Sequence, residues 1–306
     1  MLPRSEPMRG LIAATFTPMD QNGNVAVDQI GPMVDRLIEQ KLAGCYVLGS
    51  TGEGLSLTAD ERIDTAKRFI DAVAGRVPVI VQVGCESLWQ ARELAAAAQS
   101  AGADAISAVT PVYFKPDGIT TLVDSMAVIA SGAPKLPFYY YHIPAITGVN
   151  LSPLDFLRLG GTKIDNLRGL KFTSPSVHDY QACVELDPER FEIMWGVDEM
   201  LMSGLAAGGI AAVGSTYNFC AAIYHRLLAA YERGDLDAAR RHQSVAQSIV
   251  RTFVPYGPRA AQKAMMEMIG IDCGPPRLPI APLPMFSINQ LRKDLESIGF
   301  FDAVLF

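Results

Sequence analysis

The chain is poor in the residues that build disulfide scaffolds, metal centres and membrane spans. Its five cysteines, Cys45, Cys85, Cys183, Cys220 and Cys273, are odd in number and far apart, with no C-x-x-C pair. That pattern gives neither a disulfide framework nor a zinc site, and buried free thiols are expected instead. The four histidines, at 142, 178, 225 and 242, lack metal-ligand spacing, so no metal is expected. No apolar run approaches the roughly 20 residues of a membrane span. The longest candidate, GLAAGGIAAVG at 204 to 214, is short and made of small residues. Near the start, LIAATF is too short for a signal-peptide core and runs directly into a strand pattern, which leaves a cytoplasmic location as the default expectation. Basic residues are scattered rather than clustered, and the net charge of -6 offers no footprint for nucleic acid or an anionic membrane surface.

What the chain has in quantity is short apolar segments in series. Eight read as strands: Leu11 to Thr17, Cys45 to Ser50, Val77 to Gly84, Ala105 to Thr110, Pro137 to Ile143, Leu167 to Ser174, Phe191 to Val197 and Ile210 to Ser215. Between them lie helical patterns such as TADERIDTAKRFIDAVAG, with apolar residues recurring at three and four. Thr58 and Glu61 have capping-box spacing, and Gly44, Gly75 and Gly102 are read as helix stops. The strands are apolar on both faces, as where helices cover one side and a packed barrel interior the other. The order predicts a (β/α)8 TIM barrel over residues 1–232. Beyond it, helical patterns continue through DLDAARRHQSVAQSIVRTFV, AAQKAMMEMIG and NQLRKDLESIG, predicting a C-terminal helical extension over 233–306 joined through the proline-rich GPPRLPIAPLP.

In such a barrel the C-terminal strand ends carry the chemistry. Strand two ends in GSTGEG, whose glycines at first, fourth and sixth positions fit neither the dinucleotide fingerprint nor a P-loop. Ser50, Thr51 and the nearby amides could converge on a carboxylate, and a plain tight turn fits the spacing equally. Strand six, GLKFTS, carries Lys171 between Leu170 and Phe172. On a regular strand 167, 169, 171 and 173 share a face. A lysine stripped of water there is a candidate nucleophile for a carbonyl carbon, while a snorkelling or ion-paired lysine is the bland alternative. Tyr141 and Tyr113 suit acid-base work or simple packing. Asp198 and Glu199, adjacent after strand seven, read as acceptors for a hydroxyl-rich ligand, or Glu199 as a helix cap.

Taken together, GSTGEGLSL (49–57), PFYYYHIPAITGV (137–149), GLKF (169–172), GVDE (196–199), AVGSTYN (212–218) and GPPRLP (274–279) resemble the N-acetylneuraminate lyase branch of the dihydrodipicolinate synthase superfamily over nearly the whole chain. The resemblance implies class I aldolase chemistry without a cofactor: a Schiff base on Lys171, Tyr141 as proton shuttle, and Ser50 linking Tyr141 to Tyr113 in a hydroxyl relay. It further implies carboxylate binding by Ser50 and Thr51, a sugar pocket lined by Thr173, Gly196, Asp198, Glu199 and Ser215, and a homotetramer. The implied substrate is N-acetylneuraminate, cleaved to pyruvate and N-acetylmannosamine. Dihydrodipicolinate synthases usually carry an arginine two residues after the proline of the fifth-strand motif, where this chain has Ile146. An isoleucine cannot pair with a distal carboxylate, which favours the polyol reading. His142 stands where many bacterial lyases have asparagine and leaves acceptor choice open. The rival readings are another pyruvate-dependent aldolase of the same fold and a non-catalytic barrel that binds a sugar acid.

Overall fold

A computed structural model describes residues 7–305. The first six residues of the expected 1–232 barrel, and Phe306, lie outside that range. Eight parallel strands close on themselves in chain order: β1 Gly10–Ala14, β2 Gly44–Val47, β3 Val79–Gln82, β4 Ala105–Val109, β5 Phe138–His142, β6 Leu167–Phe172, β7 Glu192–Trp195 and β8 Ala211–Gly214. The barrel helices are α1 Ile30–Glu39, α2 Ala59–Val73, α3 Leu88–Ala101, α4 Ile119–Ala130, α5 Pro144–Thr147, α6 Pro153–Lys163, α7 Val177–Leu186, α8 Leu201–Ala206 and α9 Tyr217–Glu232. Then follow α10 Leu236–Phe253, α11 Pro258–Met268, α12 Met285–Ser297 and α13 Phe300–Ala303. The fold is a (β/α)8 barrel with further C-terminal helices. Helix α10 packs along α9, and α11 and α12 pack against each other.

Local signals explain most boundaries. Thr58 and Glu61 form the reciprocal capping box that starts α2, and Gly102 ends α3 in a left-handed conformation. Gly44 is a correction: α1 stops at Glu39, Lys41 takes the positive φ of 55°, and Gly44 already opens β2. The strands end sooner than their apolar runs, because the chain turns into the helix-bound loops while its side chains remain buried. Thus β7 stops at Trp195, and residues 198–200 form a 3-10 turn rather than extended chain. Asp198 and Glu199 therefore sit in a turn at the barrel mouth.

Two apolar layers follow from strand alternation. Leu170, Phe172, Phe138 and Tyr140 pack outward against helices, whereas Ile12, Tyr46, Ile80, Tyr139, Tyr141, Met194 and Val213 fill the barrel interior. Strand β6 departs from strict alternation. Leu167 packs outward with Leu170, three residues away, which regular pleating forbids. A bulge resolves this: Phe138 pairs with Leu167, but Tyr139 pairs with Gly169. Leu167 is thus not on the Lys171 face as strict alternation predicts. At Gly169 a Cβ would lie 1.8 Å from the Glu192 carbonyl oxygen, so only glycine permits β7 to approach the bulge. The extra residue brings Tyr141 opposite Lys171; without it Tyr141 would pair with outward-facing Leu170.

Candidate active site at the barrel mouth

Lys171 projects into the interior, 3% exposed. Its Nζ lies 3.9 Å from the Tyr46 ring centroid and 4.1 Å from that of Tyr141. Burial pushes the amine below its ordinary pKa, opposed by the Tyr141 hydroxyl and the Asp198 carboxylate and reinforced by Arg259. Taking a charge out of water is costly, so a neutral, nucleophilic amine is more accessible here than on a surface lysine. Tyr141 is its direct neighbour on β5, and the Tyr141 hydroxyl lies 3.4 Å from Ser50 Oγ, with either atom able to donate. A proton can therefore move between the loop after β2 and the phenol facing the amine.

The carboxylates sit across the mouth. Asp198 Oδ2 accepts from the Thr216 backbone N–H and from Thr216 Oγ1, both at 2.7 Å. Burial raises the Asp198 pKa, while these bonds and Lys171 act to lower it. Glu199 is also raised, first by burial and then by the Asp198 charge. Thr173 Oγ1 is buried without a hydrogen-bond partner among the described residues, beside Gly196, whose N–H donates to the Phe172 carbonyl at 2.7 Å. A buried hydroxyl left unsatisfied at a barrel mouth is suited to a polar ligand. Ser215 Oγ accepts from Gln262 Nε2 at 2.9 Å. Thr51 is buried in the loop after β2. Lys171, Tyr141, Ser50, Asp198 and Thr173 thus converge on the C-terminal end of the barrel.

The profile of the Dihydrodipicolinate synthetase family matches residues 7–298. The chain belongs to that family. It is 39% identical over 296 residues to the N-acetylneuraminate lyase of Sus scrofa, covering 95% of this chain and 93% of the relative. It is 42% identical over 277 residues to that of Xenopus tropicalis, covering 89% and 90%. The solved structure of Proteus mirabilis N-acetylneuraminate lyase superposes with a TM-score of 0.94 at 35% identity, covering 96% of this chain and 100% of that one.

Two expected participants of this dihydrodipicolinate synthetase family member stand apart from the cluster. Tyr113 is 80% exposed, its ring edge-to-face with the equally exposed Phe114 and its N–H on Glu86; one chain does not bring it to Ser50 or Tyr141. His142 faces the helix layer, against the rings of Tyr140 and Phe172, because alternation on β5 turns 140 and 142 outward. Burial pushes its pKa down to about 4, with the Asp179 charge opposing.

Several residues of this family member went unread in the sequence. Tyr46, an aromatic on β2 with no motif of its own, covers one side of the Lys171 amine. Within the GSTGEG loop, Glu53 adopts a left-handed φ of 53° and pairs with Lys263 of α11 at 3.0 Å, both side chains buried. Lys263 also donates to the Pro275 carbonyl, and Glu53 Oε2 accepts the Arg277 N–H at 2.8 Å. Arg277 is in turn paired with Glu61. The extension therefore touches the site: Gln262 holds Ser215, Lys263 holds Glu53, and the Arg259 guanidinium feels Tyr141, Glu53 and Asp198. In the sequence, Gln262 and Lys263 are polar residues set among the alanines and methionines of α11, a pattern that does not say what they meet.

Proposed function

We propose that the protein is an N-acetylneuraminate lyase working as a class I aldolase, with Lys171 as the Schiff-base residue. The observation that carries this reading is the buried Lys171 amine facing the Ser50–Tyr141 hydroxyl pair, in a chain whose relatives bear that name. The Lys171 nitrogen attacks C2 of the open-chain keto acid, and water departs to leave an iminium. Tyr141 takes the C4 hydroxyl proton, the C3–C4 bond breaks, and its electron pair moves into the iminium to form an enamine. Release of N-acetylmannosamine, protonation at C3 and hydrolysis then free pyruvate and the amine. Ser50 and Thr51 hold the carboxylate. Thr173, Gly196, Asp198, Glu199 and Ser215 receive the sugar chain; Asp198 Oδ2 is committed to Thr216, so a substrate hydroxyl would use its remaining acceptor capacity. An iminium is itself the electron sink, so the reading calls for no cofactor. Ile146, 63% exposed on α5, offers a distal carboxylate no partner and disfavours a dicarboxylate product.

For Tyr113 to join the relay, a second copy must supply it. The proposed homotetramer would also cover the exposed Tyr113–Phe114 pair. The proposed cytoplasmic location is supported by five buried, unpaired cysteines.

Borohydride reduction with pyruvate, followed by peptide mapping, tests the chemistry. A reduced pyruvyl adduct is expected on Lys171, and none in Lys171→Ala, which should also lose turnover. Tyr141→Phe should still trap pyruvate while its kcat for cleavage falls by about 10²-fold or more, the scale of general acid-base catalysis. Adduct on a different lysine would reject the assignment.

A further inference from the structure

Tyr46 has no part in the relay or in carboxylate binding, yet its ring is nearer the Lys171 nitrogen than that of Tyr141, at 3.9 Å against 4.1 Å. The two rings meet edge-to-face, with centroids 5.7 Å apart and planes at 75°, so the nitrogen lies in a corner made of aromatic faces. The Tyr46 hydroxyl is engaged elsewhere. It donates to Ser107 Oγ at 2.9 Å, and Ser107 Oγ donates to the Tyr139 carbonyl at 2.9 Å. That chain fixes the ring from its far end across β4 and β5. On the near side, a Cβ at position 49 would lie 2.7 Å from Tyr46 Cε1, so Gly49 leaves the space the ring occupies. Phenol chemistry at the amine is thus excluded by the hydroxyl's own bonds, and the ring face is what Tyr46 presents.

We infer that Tyr46 is a further catalytic group, whose ring face, together with that of Tyr141, stabilises the positive charge carried by the Lys171 nitrogen as the iminium. This rests on the Schiff-base reading above and deepens it. In forming the imine, the neutral amine donates its lone pair to the carbonyl carbon. The carbonyl oxygen leaves as water, with one proton from the nitrogen and one from a general acid, and the nitrogen keeps a single hydrogen and the positive charge. In water that charge would be hydrated; in the closed interior the groups facing it are the Tyr46 and Tyr141 rings, the Asp198 carboxylate and, opposing, the Arg259 guanidinium. An aromatic face attracts a cation through its quadrupole, and the attraction is strongest where water is absent. It acts on the ammonium and the iminium alike, so it favours both over the neutral amine, and the adduct gains wherever the free nitrogen rests uncharged, without a formal charge being added to the site.

The experiment is a ring-fluorination series at one position in the full-length protein: Tyr46→Phe, then Tyr46 replaced by mono-, di- and trifluorinated phenylalanine. Fluorine drains the negative face while hardly changing shape. Pyruvate is titrated against each protein, and the fraction of Lys171 trapped by borohydride is measured across pH. Above the pH midpoint, where the free amine is neutral, the equilibrium constant for adduct formation should fall stepwise with fluorine count, by about tenfold in total, as for one desolvated cation–ring contact, while below it ammonium and iminium lose alike and the constant should hold. The pH midpoint for amine attack should move downward over the same series, because the ammonium is destabilised as well; a purely structural role moves neither in register with fluorine count. Normal trapping by Tyr46→Phe with no dependence on fluorination overturns the inference, as does complete loss of trapping in Tyr46→Phe at unchanged melting temperature. Absence of any adduct in the unaltered protein instead overturns the Schiff-base reading itself.

Discussion

At the scale of single residues, the chain separates its buried ionisable groups by the faces they occupy. Lys171 and His142 lie on neighbouring strands and are both buried, but Lys171 faces the interior with Tyr141 and Asp198 while His142 is embedded among outward-facing aromatics. His142 consequently bears on stability. Its folded pKa, about 4, lies below the usual 6.5, so the unfolded chain binds the proton first. That contribution is fully present above about pH 6.5 and is lost as pH falls toward about 4. The loss between about pH 7 and about pH 4.5 should be about 2 kcal/mol. Urea midpoints of the parent protein and of His142→Asn at both pH values check it: the variant's acid slope should be shallower by that amount, and equal slopes would remove His142 as the source. Lys171 itself was legible, since a lysine between Leu170 and Phe172 breaks an apolar run. Tyr46 was not, because an aromatic in a strand is ordinary and only distance reveals what its face touches.

At the scale of elements, two devices position the site. The β6 bulge resets alternation so that Lys171 and Tyr141 become partners on one face. The second is the strap from α11 and residues 275–277 to the GSTGEG loop through the Glu53–Lys263 pair. Removing one member of a buried pair strands the other charge, typically at about 3–5 kcal/mol. Lys263→Met should therefore lower stability by about that much and raise KM for pyruvate more than it lowers kcat, as Ser50 and Thr51 lose their fixed frame. Glu53→Gln combined with Lys263→Met should regain much of the stability, since no charge is left unpaired. Thermal denaturation with steady-state kinetics on both variants would detect either failure. Neither device was visible in the sequence: the bulge follows from how β5 and β7 flank β6, and the strap joins residues more than 200 positions apart.

For the whole molecule, the most exposed apolar side chains include Tyr113 and Phe114 after β4 and Met285 with Phe286 at the start of α12, together with Trp89 on α3 and Ile146 on α5. A homotetramer would withdraw such groups from water. Sedimentation velocity should find a species of four chains, and Tyr113→Ser combined with Phe114→Ser should shift it toward smaller species with loss of turnover. A parent protein that sediments as a monomer at micromolar concentration would rule the assembly out. The extension, expected as an appendage over 233–306, reaches into the site through Gln262 and Lys263. Its helical pattern was plain, but a helix pattern states only that one face is apolar and not what it packs on.

The sequence by itself determined the parts. Eight apolar segments alternating with amphipathic helices, the Thr58–Glu61 capping box and a lysine in a buried strand are local facts, fixed by periodicity, capping and the cost of hiding a charge. The tertiary structure decided which parts meet. Barrel closure brings β2, β5, β6 and β7 around one axis, so Tyr46, Tyr141 and Lys171 come within about contact distance. Docking of α11 then places Lys263 behind the turn that carries Ser50. Periodicity fixes a side chain's direction relative to its own element, whereas its partners are set by register, bulges and packing between elements remote in the chain.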